Sequence, residues 1–299
     1  MTDRAPRGVF VGLATLDVVY RVSAPPRANQ KITAHDRLLL AGGPATNASV
    51  AFGGLGGDPL LVTALGNHVL CRTVVDELAG YGVECVDTTP DHPGPPPVST
   101  VLVSVSTGDR AVVSDNGAHR EVPWTDLTGR LRDADVLLVD GHHPRLARAA
   151  VDAAARHGVP VVVDAGSWRP VLAEVIPRAD FVLCSADLRV PGIPAVGTLD
   201  ALLSRGARAV GVSDGANPLG WATGGERGEV SVPTVDVVDT LGAGDVLHGA
   251  AAYAVARRGV SAAALRRWLP WVVSVASLST TRAGTREWLS AVGSLPPLP

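Results

Sequence analysis

Short, almost continuous apolar runs alternate with helical patterns along most of the chain. The runs of strand length lie at residues 8–14, 60–65, 136–140, 160–164, 181–184 and 209–213. Strands that are apolar at nearly every position are typical of a parallel sheet covered on both faces. Residues 69–81, 145–157 and 246–258 each fit a helix that is followed by a glycine. This alternation predicts a doubly wound α/β fold.

Two segments break the alternation and predict a small second sheet. Residues 98–114 fit a β-hairpin with a turn at residues 107–109, and residues 18–40 fit extended chain that leaves the first strand and returns. Strands that emerge beside a site can cover it. We therefore expect one domain over residues 1–299, mainly parallel, with a small β-sheet lid built from these two inserted segments.

Composition and charge exclude several classes of protein. The 299 residues are 46% hydrophobic, which is enough for a sizeable core, and the net charge of −3 provides no basic stripe for nucleic acid. No stretch reaches the roughly 20 apolar residues of a membrane span, and the first residues lack an apolar targeting segment. The three cysteines have no metal-site spacing and fit a reducing compartment. We expect a cytoplasmic protein with neither nucleic-acid nor membrane partners.

Lysine is almost absent, which narrows the ways in which this chain could bind a nucleotide. Lys31 is the one lysine among 26 basic residues. The chain therefore cannot build a Walker loop or place the strand lysine of a protein kinase on ATP. Lys31 lies where the lid should return towards the cleft, so it could contact the substrate. An exposed, solvated lysine is the alternative interpretation.

Residues 242–245, Gly-Ala-Gly-Asp, open the predicted helix of residues 246–258 and are the strongest candidate for chemistry. The glycines leave backbone N–H groups uncovered at a helix N-terminus, where a phosphate or a developing oxyanion is favoured. A carboxylate repels a resting phosphate, so Asp245 fits a general base that takes a proton from an attacking hydroxyl. The alternative is an ordinary helix start with Asp in its first turn.

Polar residues at the carboxyl ends of other predicted strands could bind a second substrate. Asp17 follows the first strand, and residues 42–47 combine paired glycines with Asn47 at a helix start. Ligands collect at this edge of a parallel sheet, and an amide offers both donors and acceptors to hydroxyls. His142 and His143 follow a later strand. They lack a third metal ligand, so cleft lining or a plain loop fits them better than a metal site.

The two glycine-containing segments resemble signatures of the ribokinase/PfkB family of carbohydrate kinases. Residues 239–245 resemble its Asp-Thr-x-Gly-Ala-Gly-Asp signature, and residues 42–47 resemble its Gly-Gly-x-x-x-Asn signature. They occur in the family's order, and the resemblance extends from about residue 9 to residue 284. It implies a ribokinase-like fold and an ATP-dependent kinase that phosphorylates a sugar hydroxyl, with ATP and Mg²⁺ as cofactors.

The resemblance also assigns site residues. Those expected to take part in catalysis are Asp245 as base and the amides of Gly242, Ala243 and Gly244. Those expected to bind the sugar are Asp17, Lys31, Gly42, Gly43 and Asn47. Those expected to bind ATP are Ser213, Gly215, Thr240, Gly242, Gly244 and Ser277. Asp239 is a candidate for holding a monovalent cation, K⁺. Association into a homodimer through the lid is also expected.

One departure from the family pattern bears on the substrate. Many members carry Asn-x-x-Glu after the strand at residues 181–184, whereas this chain has Ser185 and Asp187 there. Magnesium would then be held mainly by ATP and water, with Asp187 as a possible helper. This sequence and residues 237–242 resemble ketose kinases of the ketohexokinase or sulfofructose kinase type. Ribokinase, fructokinase and nucleoside kinase activities stay open, as does a catalytically silent sugar- or nucleotide-binding regulator.

Overall fold

The computed structural model of the chain describes residues 4–108, 110–117, 120–194 and 197–299. Asp109, in the predicted hairpin turn, lies outside the described residues. The strands are β1 (Arg7–Val11), β2 (Thr15–Val22), β3 (Asp36–Gly42), β4 (Asp58–Thr63), β5 (Glu84–Asp87), β6 (Val98–Ser104), β7 (Arg110–Ser114), β8 (Val136–Val139), β9 (Val161–Ala165), β10 (Phe181–Ser185), β11 (Ala209–Asp214), β12 (Asn217–Thr223) and β13 (Arg227–Val230). The helices are α1 (Pro44–Gly54), α2 (Val69–Gly80), α3 (Thr128–Leu131), α4 (Pro144–His157), α5 (Leu172–Val175), α6 (Thr198–Ser204), α7 (Ala243–Arg258) and α8 (Ala262–Ser279).

The larger sheet has the strand order β13-β12-β11-β10-β9-β8-β1-β4-β5. All neighbours from β11 to β5 run parallel, and β1 pairs with both β4 and β8, so Val9 lies between Leu60 and Leu137. The chain therefore winds outwards in both directions from a central strand, as predicted for a doubly wound α/β fold. Carboxyl ends of six of the predicted strands meet at one edge.

Both faces of this sheet are covered because its strands are apolar throughout. Val9 and Val11 pack into the cluster that contains α4, whereas Phe10 points to the opposite face and packs with α1, α7 and α8. The ring of Phe10 meets that of Phe52 edge to face, with centroids 5.3 Å apart. Alternate residues of one strand thus serve two cores.

The second sheet confirms the prediction of a small β-sheet beside the main one. Its order is β3-β2-β6-β7, and β2 and β6 run parallel while the outer pairs are antiparallel. Its inner face contributes Val19, Val101 and Val103 to a small apolar cluster that also contacts Leu241. Leu241 belongs to the loop of residues 239–242 that leads into α7, which we call the glycine loop. The small sheet therefore lies directly over the glycine loop.

The sequence predicted one strand over residues 8–14, but β1 ends at Val11. Residues 12–14 form a turn, and β2 begins at Thr15. The N–H of Leu13 donates to Asp140 Oδ2 at 2.9 Å, away from any sheet partner. A side chain at Gly12 would collide with the same carboxylate. This turn carries the chain from the large sheet into the small one.

The antiparallel edge formed by β12 and β13 was not predicted. β12 contains Pro218 and Gly220, and β13 contains Gly228, so the local sequence resembles a loop more than a strand. Pairing with β11 supplies the missing stability. Ser261 caps the start of α8 by accepting the N–H of Ala264. Within the described part of the chain, no helix has the length and apolarity that crossing a membrane requires.

Candidate active site

A cleft of about 930 Å³ lies between the carboxyl edge of the large sheet and the small sheet. It brings together residues from both ends of the chain that the sequence singled out separately. Those lining it are Asp17, Gly43, Ser213, Gly215, Thr240, Ala243, Gly244, Asp245 and Ser277. Members of the predicted sugar-binding, nucleotide-binding and catalytic groups therefore share one space.

The N-terminus of α7 points into this cleft. Gly242 precedes the helix in the left-handed conformation, with φ of 75°, and a Cβ there would lie 2.8 Å from Thr285 Cγ2. Among the described residues, the N–H groups of Gly242, Gly244 and Asp245 have no hydrogen-bond acceptor. The predicted anion hole needs one adjustment, since the N–H of Ala243 is directed to Thr240 O at 3.3 Å. The free amide of Asp245 takes its place.

Asp245 lies in the first turn of α7 and receives one side-chain hydrogen bond. Asn47 Nδ2 donates to Asp245 Oδ2 at 2.7 Å. Burial and the neighbouring Asp164 carboxylate raise the pKa of Asp245 to about 7, while the bond from Asn47 opposes that rise. A carboxyl group with a pKa in this range can accept a proton at neutral pH and is a far better base than an exposed aspartate.

Arg286 fixes the orientation of the Asn47 amide, and no motif in the sequence pointed to this residue. Its guanidinium donates to Asn47 Oδ1 at 2.9 Å, to Ala41 O at 2.6 Å and to Glu77 Oε1 at 3.1 Å. An arginine can only donate, so the oxygen of Asn47 must face Arg286 and its NH₂ group must face Asp245. Asn47, predicted to bind sugar, thus also contacts Asp245, the predicted base.

Asp164 and His248 lie behind Asp245 and were also missed. Asp164 is in β9 and His248 is in the second turn of α7, and both line the floor of the cleft. His248 Nε2 lies 3.4 Å from Asp164 Oδ1. The helical register could have drawn attention to His248, because it lies three positions after Asp245.

The sugar end of the cleft is formed by β2 and the start of α1. Thr15 Oγ1 donates to Asp17 Oδ1 at 2.6 Å, and burial raises the pKa of Asp17 against the lowering effect of that bond. Gly43 has φ of 100°, and a Cβ there would meet Leu13 O, so only glycine allows this close approach. Ser99 also bonds this carboxylate, but each carboxylate oxygen has two lone pairs, so Asp17 can still accept a hydroxyl hydrogen.

Asp140 anchors this end from below. Its carboxylate accepts the N–H groups of Leu13, Ala45 and His142. The nearby His142 and these hydrogen bonds hold the pKa of Asp140 well below its usual range, despite a burial penalty that acts in the opposite direction. One buried carboxylate thus ties the turn after β1, the start of α1 and the loop after β8 together.

Of the two adjacent histidines, only His142 lines the cleft. Arg169 donates to His142 Nε2, so the ring carries its hydrogen on Nδ1, which lies 3.1 Å from Asp140 Oδ1. Arg169 also donates to Ser167 O, and no acidic side chain of the described residues pairs with it. His143 is buried, and desolvation lowers its pKa to about 4. The interpretation of His142 as cleft lining fits this geometry.

The nucleotide end is lined by residues of β11, α8 and the loop before α7. Ser213 Oγ donates to Cys184 O at 3.3 Å, and Gly215 turns the chain with φ of 55°. From the small sheet, Arg110 donates to Thr240 Oγ1 at 2.8 Å across the mouth of the cleft. The predicted lid therefore contacts the glycine loop directly, through a residue that the sequence did not single out.

Six of the predicted residues do not line the cleft, namely Lys31, Gly42, Asn47, Asp187, Asp239 and Gly242. Lys31 is exposed on the segment between β2 and β3, outside the paired part of the small sheet. Asp187 is exposed beyond the end of β10, where its N–H donates to Ser185 Oγ. Asp239 accepts the N–H groups of Leu241 and Gly284, one on each oxygen, and so joins two loops. Gly42 lies against Asp17, where any side chain would collide with the carboxylate.

Comparison with known proteins identifies the family and the fold of this chain. The family model of pfkB family carbohydrate kinases matches residues 6–291. A ribokinase of Bacillus subtilis is 24% identical over 86% of this chain and 88% of its own length, and a ketohexokinase of Mus musculus is 23% identical over 86% and 91%. The structure of Arabidopsis thaliana ribokinase complexed with ribose and ATP superposes with a TM-score of 0.75 at 23% identity, over 98% of this chain and 96% of that one. The chain belongs to the pfkB family of carbohydrate kinases and has the ribokinase-like α/β fold.

Proposed function

We propose that this protein transfers the γ-phosphoryl group of ATP to a hydroxyl of a small sugar, with Asp245 as the general base. The observation that carries the proposal is the position of Asp245. Its carboxylate lies beside unoccupied N–H groups at the start of α7, in the same cleft as Asp17. A base next to an anion-binding turn suits the attack of a hydroxyl on a phosphoryl group.

In this mechanism Asp245 removes the proton from the attacking hydroxyl as the oxygen approaches the γ-phosphorus in line. The proton passes to the carboxylate, the new O–P bond forms, and the bond to the β-phosphate oxygen breaks, which releases ADP. The N–H groups of Gly242, Gly244 and Asp245 stabilise the negative charge that develops on the transferred group. Asn47 holds the carboxylate in place throughout.

The nucleotide end has room for a triphosphate. A Cβ at Gly215 or Gly244 would meet nothing within 4 Å, so phosphates can approach the backbone at both positions. Within the described ranges, no three His, Cys, Asp or Glu side chains are grouped to hold a metal ion. Magnesium therefore enters as part of the substrate, Mg·ATP, where it neutralises phosphate charge. Asp187 is exposed beyond the end of β10 and does not line the cleft.

We propose a ketose as the acceptor. The absence of Asn-x-x-Glu after β10 supports this, as does the similarity to a ketohexokinase. Asp17, whose carboxylate lines the cleft and keeps unused lone pairs, is the residue that would bind acceptor hydroxyls, and Gly43 allows the sugar to lie against the backbone. A nucleoside kinase of the same fold is the alternative, and ribokinases among the relatives make an aldopentose the next acceptor to test.

The experiment is an assay of ADP release with a panel of ketohexoses, aldopentoses and nucleosides, run on the wild type and on Asp245→Asn. The substitution should lower kcat by roughly 10²–10⁴ while ATP binding is retained, because only the proton acceptor is lost. In the wild type, kcat/KM should rise as pH increases through about 7, since Asp245 must be ionised to act. Survival of kcat within a few-fold in Asp245→Asn, or ATP binding with no turnover on any acceptor, would contradict the proposal.

Two further expectations belong to this function. We propose K⁺ activation at Asp239, whose oxygens each keep a lone pair after accepting one backbone N–H. Rates in KCl and in tetramethylammonium chloride of equal ionic strength test it. We also propose that two copies associate through the small sheet, because Leu39 and Val113 are exposed on its outer face. Light scattering should give twice the chain mass, and a monomer at assay concentration contradicts this.

A further inference from the structure

His248 is a buried ring whose two nitrogens both face oxygens that can only accept hydrogen bonds. It is 5% exposed in α7, with Nδ1 2.7 Å from Gly244 O and Nε2 2.9 Å from Leu183 O. A neutral imidazole carries one N–H and could satisfy only one of these carbonyls. Both contacts are satisfied together only when the ring carries two hydrogens, and hence a positive charge.

Asp164 supplies the negative charge that this imidazolium needs. It lies in β9, is 5% exposed, and has Oδ1 3.4 Å from His248 Nε2. The same oxygen accepts the N–H of Gly166 at 2.9 Å, which fixes the carboxylate. Burial alone would lower the pKa of His248, but Asp164 and the two carbonyl contacts outweigh it and raise that pKa. The two residues form a buried ion pair.

Asp245 follows Gly244, whose carbonyl His248 contacts, and four groups from four elements act on its pKa. They are Asp164 in β9, His248 in α7, Asn47 in α1 and Asp17 in β2. The negative charge of Asp164 makes ionisation of Asp245 harder, and the positive charge of His248 makes it easier. The two charges of the pair therefore shift the pKa of Asp245 in opposite directions. Removing either member alone leaves the charge of the other uncompensated.

We propose that Asp164 and His248 are positioning residues that together set the proton affinity of Asp245. Asp164 strengthens the base, and His248 limits the effect so that Asp245 is largely ionised just above neutral pH. His248 also holds Gly244 O to β10 and so fixes the turn whose amides receive the phosphoryl group. This inference rests on the proposed function of Asp245 as base.

The test is the pH dependence of kcat/KM in two charge-removing variants. Asp164→Asn keeps an acceptor for Gly166 but loses the charge, so the acid limb should move to lower pH by about one unit. His248→Gln should move it to higher pH by a similar amount. Asp180→Asn is the matched control, because Asp180 accepts the N–H of Val161 at the opposite edge of the sheet. It changes the net charge equally and should leave the limb unmoved.

Opposite shifts support the inference, since a merely structural role would lower activity without moving the limb in two directions. Superimposed profiles, or shifts of the same sign, overturn it. Should a variant fail to fold, ¹⁵N NMR of the wild type at pH 8 gives an independent answer. One imidazole with both nitrogens protonated is expected, and its absence overturns the inference. Activity retained in Asp245→Asn would instead overturn the proposed function, which keeps the two failures distinguishable.

Discussion

Removing Arg286 should separate the stability of the fold from the orientation of the base. The guanidinium is 7% exposed and bridges the C-terminal segment to Glu77 of α2 and Asn47 of α1. Arg286→Met keeps most of the apolar stem and deletes the charge. Glu77 is then left with the N–H of Ala41 as its partner, and the Asn47 amide loses the donor that fixed its orientation.

Two magnitudes follow from these contacts. Deleting one member of a buried, hydrogen-bonded ion pair costs about 3–5 kcal/mol of unfolding free energy. Because 18% of the Glu77 side chain stays exposed, water relieves part of this, and we expect about 3 kcal/mol. The Asn47 amide can then rotate, and losing its bond to Asp245 should lower kcat by about tenfold, equivalent to roughly 1.4 kcal/mol.

Urea unfolding measures the first magnitude, and ADP release at saturating sugar and ATP measures the second. The double variant Glu77→Gln/Arg286→Met removes the uncompensated carboxylate, so it should recover part of the stability and none of the kcat. Wild-type stability in the single variant would refute the account of the ion pair. Recovery of kcat in the double variant would refute the role of Arg286 in orienting Asn47.

The remaining predictions concern the glycine loop and the lysine. Gly242→Ala should destabilise the fold by about 1–3 kcal/mol in urea unfolding, because its φ of 75° and the contact with Thr285 both disfavour a side chain. Gly244→Val should melt close to the wild-type temperature yet lose at least about 100-fold in kcat, because its side chain enters the open phosphate space; normal turnover would show that this turn is only structural. Lys31→Ala should change the KM for the sugar by less than about twofold, and a tenfold rise would show that the segment between β2 and β3 reaches the substrate.

The local parts of this protein were predictable from its sequence. Nearly continuous apolar runs indicated the parallel strands because both faces of such a strand are buried, and glycines marked the helix ends. The glycine turn before Asp245 was recognisable because a helix N-terminus whose N–H groups are not covered by side chains favours the binding of anions. These signals come from neighbouring residues, whose spacing alone fixes their geometry. β12 was not predicted, because Pro218 and Gly220 are unfavourable in a strand and it is the pairing with β11 that stabilises it.

Only the tertiary structure decided which side chains act on Asp245. Asn47 is 198 positions away in the sequence, and Arg286 lies 239 positions beyond Asn47. Neither the partners of a buried amide nor the charge on His248 can be deduced from spacing, because both depend on which strand ends converge at one edge of the sheet. The sequence determined the turn that we propose binds the phosphoryl group. The fold determined the proton affinity of the base, because burial and long-range charge exist only once the chain is packed.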